Sequence, residues 1–88
     1  LRSEQAMEIE ADGAFLVQEV METIKYNSRL QGAFPVPSGD VARNGRQYHI
    51  SIEENHRMIE GVEMREVSCT VTDKTGTSFS AVMLLEAP

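Results

Sequence analysis

Two histidines, one cysteine, several serines and a scatter of carboxylates are the side chains in this sequence that could make bonds or hold a metal. His49 lies on the polar side of an alternating stretch, and His56 falls in what reads as a loop. A zinc site takes three or four converging ligands, and no spacing here supplies them. Both histidines therefore read as solvated surface groups, and no metal is expected. Cys69 stands between Val67 and Val71, in phase with them. A nucleophilic thiol needs a base and an electropositive setting, whereas a strand position among valines suits cysteine as a small hydrophobe. As the single cysteine it cannot close a disulfide within the chain. The serines lack a Gly-x-Ser-x-Gly context, and the glycines form no phosphate loop. Glu53-Glu54 and the trio Glu8, Asp12 and Glu19 could be imagined as an acid/base pair or a calcium site. The trio falls on one arc of a helix, though, and reads as its hydrated outer face. No catalytic residue and no cofactor is expected.

The elements that must position these groups follow from composition and pattern. The chain has 88 residues, 41% hydrophobic and 25% charged, which suits one small globular domain with little room for a deep cleft. Eight Lys and Arg against fourteen Asp and Glu leave a net charge of −6, which disfavours direct nucleic-acid binding. No apolar run approaches the roughly 20 residues of a membrane span. The chain starts at Leu1 and carries no secretory signal, so a processed or truncated piece is expected.

Residues 3–28 read as a helix. Ser3 can cap it, acidic residues crowd its start, and Lys25 and Arg29 sit at its end. Ala6, Ile9, Gly13, Leu16, Val17, Val20 and Ile24 form its apolar stripe. Residues 29–40 read as a loop broken by Pro35 and Pro37, with Leu30, Phe34 and Val36 as its anchors. Residues 41–86 read as sheet. Asn44-Gly45 suits a type I′ turn after a short first strand, and Tyr48, Ile50 and Ile52 alternate with polar neighbours. A strand over about 62–72 changes apolar phase near Arg65-Glu66, which predicts a bulge. Asp73 to Gly76 reads as a turn into a last strand with Phe79, Ala81, Met83 and Leu85 on one side. The fold class is α+β: one long N-terminal helix packed on a three- to four-stranded antiparallel sheet.

The helix carries a second apolar set, Met7, Ala11, Ala14 and Met21, displaced by about 100° from the first. Two readings account for it. Small and flexible apolar residues suit close packing against another helix, and a wide single face covered by the 30–41 loop would look the same. The last strand is apolar on both faces, so Val82 and Leu84 need cover either from Leu30, Phe34 and Val36 or from another protein.

The helix ending VQEVMETIKYN, the run VARNGRQYHISIEE and the segment GVEMREVSCTVTDKTGTSFSAVMLL follow one another as helix, loop and antiparallel meander. This pattern resembles the soluble part of a type IV pilin-like protein, and most nearly a minor pseudopilin. The nearest kinds are the competence pseudopilins of Gram-positive bacteria and the I-type pseudopilin of type II secretion. The resemblance spans nearly the whole chain as a pattern, and the family's leader and apolar helical half would precede Leu1. It implies a non-catalytic subunit that helps initiate a filament for DNA uptake or protein secretion. It also implies an anchor in the inner membrane, with this domain outside the cytoplasm. The implied partners are sister pseudopilins and filament subunits, met through Met7, Ala11, Ala14, Met21, Val82 and Leu84. The competing reading is a free-standing adaptor or chaperone that binds a peptide by strand addition or through its helix face.

Overall fold

The computed structural model describes residues 3–87, which form one helix followed by four strands. The helix α1 spans Glu4–Leu30. Ser3 caps it, its hydroxyl oxygen accepting from the Ala6 amide at 3.1 Å. It ends because Gln31 turns left-handed at φ 49°, with Pro35 and Pro37 beyond it. The strands are β1 (Gly39–Arg43), β2 (Arg46–Ile59), β3 (Val62–Asp73) and β4 (Ser78–Glu86). They form a single antiparallel meander in the order β1-β2-β3-β4, and α1 packs on β3 and β4 alike. The expected α+β class, one helix on an antiparallel sheet, is what the chain adopts.

The turns follow from their residues. Asn44 and Gly45 take φ 54° and 77°, the paired positive values of a type I′ hairpin. At the next hairpin Glu60 and Gly61 do the same at 50° and 80°. The Asp73 carboxylate closes the third turn by accepting from the backbone amides of Thr75 at 3.0 Å and Thr77 at 2.8 Å.

Two expectations about the sheet need correction. The β2–β3 register runs unbroken from Tyr48↔Asp73 to Ile59↔Val62, so there is no bulge near Arg65-Glu66. The residues from Glu54 to Ile59, His56 among them, are strand and not loop. The change of phase arises because this hairpin runs past the end of β4, whose last partner is Met64 opposite Glu86. Beyond that point no second layer selects a face, and Met58 and Val62 are exposed.

The core lies between helix and sheet. Leu16, Val17, Val20 and Met21 of α1 meet Tyr48 and Ile50 of β2 and Val67, Cys69 and Val71 of β3. Phe79, Ala81, Met83 and Leu85 close it from β4. Gly13 permits the close approach, because a Cβ there would overlap the Phe79 ring. Ala6, expected in the buried stripe, is exposed. Gly13 already sits above Phe79, one residue inside the start of β4, so the first turns of α1 overhang the sheet.

The loop before β1 folds back along the end of the helix. The Asn27 side chain donates to the Phe34 carbonyl at 2.9 Å and accepts from the Phe34 amide at 3.1 Å. The Phe34 ring meets Tyr26 edge-on at 5.2 Å. Val36 is half-buried against the core and Phe34, though exposed, ties the loop to the helix end through Asn27 and Tyr26, whereas Leu30 is exposed. None of the three covers the outer face of β4, where Val82 stays 64% exposed.

Candidate interaction surface

The helix divides into two unlike flanks. Toward the β1–β2 hairpin the flank is polar, and the sequence reading of Glu8, Asp12 and Glu19 as a merely hydrated arc is corrected here. Asp12 is buried at 5% exposure. Its carboxylate accepts from the Tyr48 hydroxyl at 2.7 Å and from the Asn44 side-chain amide at 2.6 Å. Arg46 approaches Asp12 at 3.9 Å and donates to Glu8 at 2.6 Å, and Arg43 donates to Glu19 at 2.9 Å. A buried carboxylate is tolerable when donors satisfy it, so this cluster fixes the helix on the first hairpin. Burial, then the bond to Asp12, pushes the Tyr48 hydroxyl up to about 12. The hydrogen bond to Glu8 raises the Arg46 guanidinium.

The outward face is mixed, with exposed apolar side chains beside the exposed Gln18 and Glu22, and the flank toward β4 carries the exposed Glu10 and Ser28 beside the buried Val17 and Met21. At 3.6 residues per turn Ala11 points directly away from the buried Val20, with Met7, Ala14 and Phe15 within about 60° of it. All four are exposed, Met7 at 56% and Phe15 at 66%. They form a strip roughly 12 Å long on the first half of the helix. Met21 departs from this pattern: at 8% exposure it belongs to the domain's own core. The loop does not reach the strip, since its helix contacts are at Tyr26 and Asn27. Phe15 lay outside both apolar sets in the sequence. Its signal was an aromatic side chain on an otherwise polar arc, which a stripe count passes over.

Val82 and Leu84 form a second exposed apolar site on the outer face of β4. In register they face Ser68 and Glu66 of β3. Farther along, hydroxyls pair across the strands, Thr70 with Ser80 and Thr72 with Ser78, each at 3.1 Å. Near the end of the helix Ile24, Val36, Ile52 and Val67 line a recess of about 370 Å³, with the Glu54–Arg65 ion pair at its rim. The hydrogen bond to Arg65 lowers the Glu54 carboxyl.

The groups singled out for chemistry stand apart. His49 is exposed beside Asp40 at 2.8 Å, and His56 lies beside Glu63 at 3.3 Å on the projecting hairpin. Cys69 is fully buried, and burial pushes its thiol up, away from the reactive thiolate. Among the described residues no group of three or more His, Cys, Asp or Glu could hold a metal, and no helix is long and apolar enough to cross a membrane. No protein-family model matches the chain, and no curated protein or solved structure does either.

Proposed function

We propose that this chain is a non-catalytic subunit of a type IV pilin-like assembly, of the minor-pseudopilin kind, acting in the initiation of a filament for DNA uptake or protein secretion. The observation that carries the reading is the outward strip Met7, Ala11, Ala14 and Phe15, apolar side chains exposed beside Gln18 and Glu22 on a helix face that neither sheet nor loop covers. Apolar surface collected on one face marks a contact site, and Ala and Met suit close helix packing. The polar flank supports the same reading. Asp12, Tyr48 and Asn44 hold α1 rigidly on the first hairpin, so its outer face is presented in one orientation. In this reading sister pseudopilins pack along α1, and an apolar helix continuous with it anchors the subunit in the inner membrane, with this domain outside the cytoplasm.

The test is binding to the soluble domains of other minor pseudopilins. Ala11→Glu and Phe15→Ser should weaken association at least tenfold while thermal melting stays within a few degrees. Association that keeps its affinity in both variants would overturn the reading. A peptide-binding adaptor is the second reading, and the long open edge of β4 is what favours it. That reading predicts capture of extended peptides with no effect of Ala11→Glu.

A further inference from the structure

β1 and β4 are the two edges of the sheet, and they are unlike. β1 is five residues long and carries Asp40 and Arg43. β4 is nine residues long, SFSAVMLLE, with no Lys, Arg or Pro and a single charge at its end. Soluble proteins normally guard such an edge with charge, proline, a bulge or a covering segment. The β3–β4 register is bulge-free from Thr72↔Ser78 to Met64↔Glu86, and the Ala87 amide continues it by donating to the Glu63 carbonyl at 3.1 Å. Since Ala87 faces β3, strand alternation turns the N–H and C=O groups of Ser78, Ser80, Val82, Leu84 and Glu86 outward.

We infer that β4 pairs with β4 of a second copy of this chain, antiparallel about a two-fold axis at Val82, to make a continuous eight-stranded sheet. The strand is self-complementary in that register. Val82 meets Val82, Leu84 meets Ser80, and Glu86 meets Ser78, so no like charges oppose and every outward backbone group gains a partner. On the helix-facing side Phe79 meets Leu85 and Ala81 meets Met83. On the outer face the exposed Val82 and Leu84 gather against their counterparts.

The helices supply an independent geometric argument. α1 packs on both β3 and β4, and an axis midway between them would stand about half a strand spacing inside β4. Strands repeat at about 4.8 Å, so continuing the sheet by two-fold symmetry puts the two helix axes about 10 Å apart. That is the packing distance of two helices. Along its length, α1 passes Phe79 at Gly13 and Leu85 near Asn27 and Ser28, so the level of Val82 falls near Met21. The flank between the antiparallel helices presents the exposed Ala14, Glu10 and Ser28 above the already buried Val17 and Met21, with Ala allowing approach and the helix dipoles opposed. Met7, Ala11 and Phe15 stay outside this contact, so the inference goes beyond the proposed function and does not depend on it.

The experiment is sedimentation equilibrium on the 88-residue chain over a wide concentration range, joined to single-cysteine cross-linking. The wild-type mass should rise from 9.8 kDa to twice that value. Val82→Lys sets two cations opposite each other and should hold the chain at the monomer mass with its melting nearly unchanged. Val82→Cys should cross-link on mild oxidation, since a hydrogen-bonded antiparallel pair holds its Cα atoms about 5.5 Å apart, within disulfide reach. Leu84→Cys should not, its two copies lying about 14 Å apart along the ladder. Cys69 is buried and does not compete. A chain that stays monomeric throughout, a dimer indifferent to Val82→Lys, or Leu84→Cys linking as readily as Val82→Cys would overturn the inference.

Discussion

The Tyr48 hydroxyl donates to the buried Asp12 carboxylate across 2.7 Å, joining a strand to a helix 36 positions earlier in the chain. That bond lies on the flank of α1 that the protein closes for itself. The outward face carries Met7, Ala11, Ala14 and Phe15, which the protein leaves exposed. The helix is thus tied down on one side and left exposed on the other.

Removing the carboxylate should loosen the helix from the first hairpin. Asp12→Ala leaves the Tyr48 hydroxyl and the Asn44 amide without their acceptor. An orphaned buried polar group costs about 1–3 kcal/mol, so melting should fall by several degrees or more. Differential scanning calorimetry checks this, with Glu19→Ala as the contrast. The exposed Glu19–Arg43 pair contributes about 0–1 kcal/mol at most, and its loss should barely move the transition.

Alkaline pH should unfold the domain through the same bond. The Tyr48 hydroxyl is raised from its ordinary 10.0 to about 12, so the folded state keeps a proton that the unfolded chain gives up earlier. Its stabilisation is whole below pH 10 and is lost as pH climbs from 10 toward 12, in total about 2–3 kcal/mol. Urea titrations across that interval should show the midpoint falling, and Tyr48→Phe should flatten the fall. An equal slope in the Phe variant would show that another group is responsible.

Gly13 and Phe79 should behave as a coupled pair. Gly13→Ala drives a methyl into the ring and should destabilise by about 1–3 kcal/mol, despite alanine's better helix propensity. In Phe79→Leu the same change should cost less. Chemical denaturation of the four proteins of the double-mutant cycle gives the coupling, and simple additivity would mean that the ring does not determine the helix's height above the sheet.

The Cys69 thiol should be unreactive in the folded state. It is fully buried on β3 and burial raises it, so labelling by a thiol reagent at neutral pH should follow unfolding. Its rate should rise in parallel with the loss of stability in Asp12→Ala. Rapid labelling of the native wild type would contradict the core seen here.

The elements were legible in the sequence because their signals are local. The Ser3 cap, the stripe from Ile9 to Ile24, the Asn44-Gly45 turn and the alternation around Tyr48 each lie within a few neighbouring residues. What sequence reading lost was long-range. Asp12 looked like one more hydrated carboxylate, because its partners Asn44, Arg46 and Tyr48 are brought to it only by folding. Met21 looked outward because it lies on the shoulder of the buried face, and in the fold it joins the core at 8% exposure. The apolar phase change near Arg65 looked like a bulge because a sequence does not show where the second layer stops above a strand. Of the candidate surface, Met7, Ala11 and Ala14 are where the helical period put them, and Phe15 completes the strip from a position that the period excluded.

Under the proposed function, neighbours meet this domain on the outward strip of α1. Amide chemical-shift mapping tests it most directly, with the labelled domain titrated by the soluble domain of a sister pseudopilin. The largest perturbations should fall at Met7, Ala11, Ala14 and Phe15, while the projecting hairpin around Met58 and the hydroxyl face around Thr70 stay still. Perturbations confined to that hairpin or that face, with the strip silent at saturation, would contradict it.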